Sequence, residues 1–186
     1  MNVDRELVER AQQGDHDAFS ALVRPEIPRL HGLAGLILRD PARAEDAVQE
    51  ALLKAWRDLP RLREPDRFGA WLRRLAVNAC HDEGRRLRRR RGEIALGPEH
   101  ERAAGDGLDA MIQRDELVRG FHRLSQEERT VIGLRYYLDL PSADAAAALG
   151  MREGTYRSKL HRAIRALGAA MAADARGSIR VEGRST

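Results

Sequence analysis

A chain of 186 residues, 42% hydrophobic and 33% charged, can build one domain or two small ones, and none of its apolar runs is long enough to span a membrane. The single cysteine, Cys80, excludes an intramolecular disulfide and fits a reducing cytoplasm, and the amino terminus carries no secretory signal. The net charge is only +4, yet every basic residue except Lys54 and Lys159 is arginine, so the placement of the arginines says more than their number.

No alternating pattern long enough for a strand is present, so the chain is predicted to be all-α. Leu7, Val8 and Ala11 mark a short helix ended by Gly14, and Asp15 or Asp17 can cap the next, with Phe19, Leu22 and Val23 buried. Pro25 and Pro28 interrupt the pattern before Leu30, Leu33, Ala34, Ile37 and Leu38 resume it. Asp40-Pro41 is a start signal, a capping aspartate followed by proline at the first helical position. The helix it opens turns Ala44, Ala47, Val48, Ala51, Leu52, Ala55 and Trp56 inward. Outward it presents Glu45, Asp46, Gln49, Glu50, Leu53 and Arg57. Two readings fit that acidic face with its leucine: a docking surface for a basic protein, or acids favoured at a helix start by the helix dipole.

A loop from Leu59 to Asp66 holds Arg61, Leu62 and Arg63 between two prolines. Phe68 then opens a helix with Trp71, Leu72, Leu75, Ala76 and Ala79 inward, and Arg73, Arg74, Asn78, His81 and Arg85 on other faces. Its end, Arg85 to Arg91, has six arginines in seven residues, either a nucleic-acid contact or a solvated helix end. Residues 92–107 are glycine-bounded, aperiodic and net acidic, which predicts a flexible linker between a first domain at 1–91 and a second at 108–173. Beyond residue 173 a polar, disordered tail (174–186) is expected.

In the second domain a helix carries Ile112, Leu117, Val118 and Phe121. Ser125-Gln126-Glu127-Glu128 then forms a capping box for a helix bearing Val131, Ile132, Leu134 and Tyr136. Ser142 is placed to cap a short alanine-rich helix that Gly150 ends, and a longer helix begins near Glu153. Tyr156, Leu160, Ala163, Ile164, Leu167 and Met171 share one face of it. With Ala146 four residues before the glycine and Tyr156 six after, the pair reads as a helix-turn-helix. The opposite face shows Arg152, Thr155, Arg157, Ser158, Lys159, His161, Arg162 and Arg165, five basic residues against the lone acid Glu153. DNA phosphate would neutralise such a cluster, and a solvated basic face is the alternative.

Taken together, these pieces resemble a bacterial sigma factor of the extracytoplasmic-function type. The residues that carry the resemblance run from Asp40-Pro41-Ala42-Arg43-Ala44-Glu45-Asp46-Ala47-Val48-Gln49-Glu50 through Lys54-Ala55-Trp56-Arg57 to Phe68-Gly69-Ala70-Trp71-Leu72 with Asn78 and Asp82. In the second domain they are Leu134-Arg135-Tyr136-Tyr137 and Gly154 to Ala163, in the family's order and spacing. The resemblance implies that Asp46, Gln49, Glu50, Leu53 and Arg57 dock on core RNA polymerase, whose clamp coiled coil and flap are the expected contacts. It implies that Arg61, Leu62, Arg63, Arg74, Asn78 and Arg85 capture the melted minus-ten strand, with Leu62 where some members carry an aromatic. Arg152, Thr155, Arg157, Ser158, Lys159, His161 and Arg162 would then read the minus-thirty-five duplex in the major groove. Tyr156 stands where valine or isoleucine is usual, which is expected to tilt the recognition helix. An anti-sigma partner is usual in the family.

Catalysis is not expected. His16, His31, His81, His100, His122 and His161 show no ligand spacing with Cys80 or one another, and there is no phosphate-binding glycine loop or triad, so no metal or cofactor is implied. Adjacent in one helix, Cys80 and His81 point different ways, and Cys80 reads as a core residue. A cytoplasmic promoter-specificity subunit is therefore the leading expectation. A one-component helix-turn-helix regulator with a helical sensing domain, or an adaptor whose arginines contact RNA or an acidic protein, are its rivals.

Overall fold

The computed structural model describes residues 5–93 and 110–182, with side chains at 5–89 and 117–173; the predicted acidic linker lies almost wholly outside them. Among the described residues every regular element is helical. Helices α1 (Arg5–Gln12), α2 (His16–Val23), α3 (Ile27–Leu38), α4 (Pro41–Asp58) and α5 (Phe68–Glu93) form the first domain, with two 3-10 turns, Leu59–Arg61 and Pro65–Arg67, between α4 and α5. Helices α6 (Ala110–Arg123), α7 (Gln126–Ile132), α8 (Ser142–Ala148) and α9 (Glu153–Glu182) form the second.

Local chemistry sets most boundaries. Gly14 at φ +93 ends α1, and the Asp15 side chain accepts from Ala18 N at 3.0 Å to start α2. Asp40 accepts from Arg43 N at 3.1 Å ahead of Pro41, as the dipeptide predicts. Ser125 and Glu128 complete the reciprocal capping box. Val8, Leu30, Leu33, Ile37, Val48, Phe68 and Leu72 fill the first core, where α5 lies on α4 and α3. The second core gathers Val131, Leu134, Ala145, Tyr156 and Ala163.

Three local expectations change. Ser142 is the first residue of α8 rather than its cap: Pro141, extended at φ −54 and ψ 151, stands at the cap position and gives no side-chain bond. The helix after the capping box does not continue as α-helix towards Pro141. It widens into a π-helical turn over Gly133–Tyr137, closed by Leu138 N to Gly133 O at 3.0 Å. Helix α9 runs on to Glu182, past the expected boundary at residue 173 and through Gly177, with no proline to stop it.

Candidate nucleic-acid interface

The helix-turn-helix is built as its spacing predicts. Gly150 takes the left-handed conformation (φ +64), Ala146 is buried where α8 crosses α9, and Tyr156 is wholly buried between α9 and α7. The Tyr156 hydroxyl donates to Val131 O at 2.8 Å, just ahead of the π-turn. Burial pushes that hydroxyl up to about 12, so it stays protonated and donating at neutral pH.

Arg152, just ahead of α9, and Thr155, Arg157, Ser158, His161 and Arg162 on it are all exposed. Arg157 pairs with Glu153 one turn earlier, and Arg162 Nε lies 3.4 Å from Ser158 O. Lys159 departs from the group. It is half-buried and pairs with Glu127 on α7, so it braces the two helices instead of joining the open basic face. Ile164, expected inward, is 41% exposed: with Leu117, Tyr136 and Tyr137 it lines an apolar groove of about 400 Å³ that also takes in Leu36 of the first domain. Nothing in the sequence marks that groove, because helical periodicity reports which residues share a face and not how far a neighbouring helix covers it.

In the first domain Asn78 and Arg85 share a cleft of about 370 Å³ with Glu50, Lys54, His81 and Asp82. Arg85 pairs with Asp82. Arg61 and Arg63 are exposed ahead of α5 and do not line that cleft, while Leu62 is half-buried against the core and its carbonyl accepts from Gln12 Nε2 at 2.7 Å. Its side chain thus packs partly against the domain core and is partly open to solvent. Arg74 is exposed, with its guanidinium beside the Gly150 turn of the second domain. On α4, Asp46, Gln49, Glu50, Leu53 and Arg57 form one exposed strip, with Leu53 72% exposed. Glu50 also accepts from Arg86 at 3.1 Å, which ties this strip to the arginine run of α5. Cys80 is buried, and desolvation pushes its thiol up to about 12, which makes it an inert core residue.

An exposed basic helix of a helix-turn-helix thus stands beside a helical domain with an acidic, leucine-bearing strip. Residues 22–91 match the Sigma-70 region 2 family and residues 114–167 the Sigma-70 region 4 family. The RNA polymerase sigma-H factor of Pseudomonas aeruginosa is 33% identical, over 90% of this chain and 93% of its own length. The ECF RNA polymerase sigma factor SigL of Mycobacterium tuberculosis is 38% identical, over 69% of this chain and 74% of its own. The chain belongs to the sigma-70 family, in its extracytoplasmic-function (ECF) branch. Solved structures share its fold. CnrH, in complex with the cytosolic domain of CnrY, gives a TM-score of 0.67 at 26% identity, covering 93% of this chain and 99% of that one. The sigma factor RpoE of Bartonella quintana, in complex with the anti-sigma factor NepR, gives 0.65 at 26% identity over 84% and 98%. As an ECF sigma factor the chain is a promoter-specificity subunit, and these relatives support that function over a one-component regulator.

Within this sigma factor one histidine makes stability depend on pH. His81 Nε2 lies 3.2 Å from Thr130 Oγ1, whose own hydrogen goes to Gln126 O, so the ring nitrogen donates. Burial holds the imidazole below its ordinary 6.5; Arg85 and Arg88 push the same way, against Glu127 and Asp82. Below 6.5 the unfolded chain binds more protons than the folded one, so stability is full above that pH and falls as pH drops through the window beneath it. Denaturant midpoints at pH 7.5 and 5.5 should show a loss on acidification that His81→Gln reduces; equal losses in both proteins would remove His81 as the cause.

Proposed function

We propose the following division of labour for this sigma factor. Arg152 and the exposed face of α9, through Thr155, Arg157, Ser158, His161 and Arg162, read the minus-thirty-five duplex. Lys159 takes part by holding that helix to α7. The cleft at Asn78 and Arg85, with Arg61, Arg63 and Arg74, takes the single-stranded minus-ten element. The α4 strip docks on core RNA polymerase. The family match carries this reading, and the exposure of all but two of the proposed contact residues, Leu62 and Lys159, supports it. Residues 1–91 and 108–173 act as the two units, and the work is binding without catalysis, in the cytoplasm. No helix among the described residues is long and apolar enough to cross a membrane. An anti-sigma protein is a further partner, since RpoE is bound by one, and the apolar groove between the domains offers a helix-sized surface for it.

In-vitro transcription with core polymerase tests the whole scheme. Initiation at a defined site supports the specificity subunit, and none at any site in the genome from which the chain comes defeats it. Asp46→Arg together with Glu50→Arg reverses the charge of the α4 strip. Docking on core should weaken about tenfold or more, because like charges placed across an interface are strongly unfavourable. Unchanged affinity in a pull-down or anisotropy titration would remove this strip from the account.

A further inference from the structure

The loop that joins α4 to α5 is held from α1. Between its two 3-10 turns, Leu59–Arg61 and Pro65–Arg67, residues Leu62, Arg63 and Glu64 belong to no helix. Backbone bonds close each turn on itself, Leu62 N to Leu59 O and Arg67 N to Glu64 O, both at 3.0 Å. Helix α1 packs against both turns. Its last residue, Gln12, donates from Nε2 to Leu59 O at 3.1 Å and to Leu62 O at 2.7 Å. A primary amide nitrogen has two hydrogens, and both go to this one loop.

The chain around Gln12 aims it there. Gly14 at φ +93 stops α1 two residues later, and Arg10 reaches across the bend to pair with Asp15 at 2.7 Å. Val8 and Ala11 are buried, so one face of α1 is fixed on the core. The bond to Leu62 then orients the loop. The peptide between Leu62 and Arg63 is trans, so its C=O and N–H point in opposite directions. With the Leu62 carbonyl turned in to Gln12, the Arg63 N–H is turned away from α1, and the exposed side chains of Arg61 and Arg63 flank it. A backbone N–H between two guanidinium groups suits a phosphate oxygen.

We propose that Gln12 is a positioning residue for minus-ten capture: it sets the peptide at Leu62 so that Arg61, Arg63 and the Arg63 N–H present one phosphate-binding edge to the single strand. Gln12 lies ahead of residues 22–91, so the region 2 match does not reach it. The consequence for DNA rests on the role proposed above for this loop, while the hold of Gln12 on the loop stands on its own bonds.

The test uses the full chain assembled with core polymerase. Its probe is a fluorescent single strand carrying the minus-ten sequence of a promoter mapped by the transcription assay above. Gln12→Met fills similar space and removes both donors. Hydrogen exchange over residues 59–67 should rise in this variant. Affinity for the single strand should fall about fivefold or more, because a loosened loop must be ordered on binding. Affinity for core and for the minus-thirty-five duplex should stay at the parent level, which a general loss of structure would not allow. Gln12→Lys, whose ammonium can donate to both carbonyls, should recover single-strand binding with exchange back at the parent level; that second reading separates repaired positioning from added charge. Unchanged exchange in Gln12→Met, full single-strand affinity despite faster exchange, or loss of core docking in step with single-strand binding would each overturn the inference. Arg61→Ala with Arg63→Ala examines the loop itself. If that variant binds the single strand as the parent does, the minus-ten role of the loop fails, and exchange still reports whether Gln12 holds it.

Discussion

Tyr156→Ala removes cooperative folding of the second domain. The side chain is wholly buried at the point where α9 crosses α7, and truncating a core aromatic to alanine typically costs about 3–5 kcal/mol. The loss of its hydroxyl also strands Val131 O, which accepts from it at 2.8 Å, at a further cost of roughly 1–3 kcal/mol. A domain of this size has a small core, and single domains hold only about 5–15 kcal/mol in total, so the sum takes most of the reserve. Tyr156→Phe keeps the volume and loses only the bond, so it should melt a few degrees lower and stay folded. Thermal melts by circular dichroism separate the two outcomes. An alanine variant that retains a sharp second-domain transition near the parent midpoint would show that the wedge is dispensable. The phenylalanine variant also bears on recognition: Tyr156 anchors α9 to Val131 O, so without the bond the helix should keep its fold and shift its angle to DNA.

Features that depend on a few neighbouring residues are legible in the sequence. The Ser125–Glu128 box, the Asp40-Pro41 start and the left-handed Gly150 each form from side chains within four residues of the backbone they serve. The Tyr156 plug is legible as well, because the helix-turn-helix fixes its place relative to the glycine. Features that depend on contacts between distant elements are not. Lys159 has the charge and spacing of a DNA contact, and only the position of Glu127 on α7 turns it inward. Ile164 keeps its place on the apolar face of α9 but meets a groove instead of a neighbour. Leu62 lies in a loop that carries exposed arginines, yet it packs partly against the core. Arg39 and Arg129 donate to His122 O and Ile37 O, carbonyls 83 and 92 positions away in the chain, and no local pattern marks either. The glycines at 32 and 84 look like weak points in their helices until the side chains of Tyr137 and Gln126 are in place.

Arg157→Ala with Arg162→Ala should abolish preference for the minus-thirty-five sequence while docking on polymerase survives. Both arginines are exposed on α9, and neither belongs to the α4 strip. A bidentate arginine–guanine pair supplies about 1–3 kcal/mol of discrimination, so losing two lowers the ratio of specific to non-specific binding by roughly thirtyfold or more. Stability should hardly change. The Arg157–Glu153 pair is an exposed one-turn contact, a class worth less than about 1 kcal/mol, and Arg162 touches only the carbonyl of Ser158 in its own helix. Salt dependence then separates the two roles open to these side chains. If they read bases, the double variant should lose discrimination between promoter and scrambled duplex. If they only neutralise phosphate, affinity should fall equally on both duplexes, and the slope of log affinity against log salt should flatten by roughly 1.8. Binding curves on the two duplexes at three salt concentrations decide between them, and a variant that keeps its preference with an unaltered slope would take both residues out of the interface.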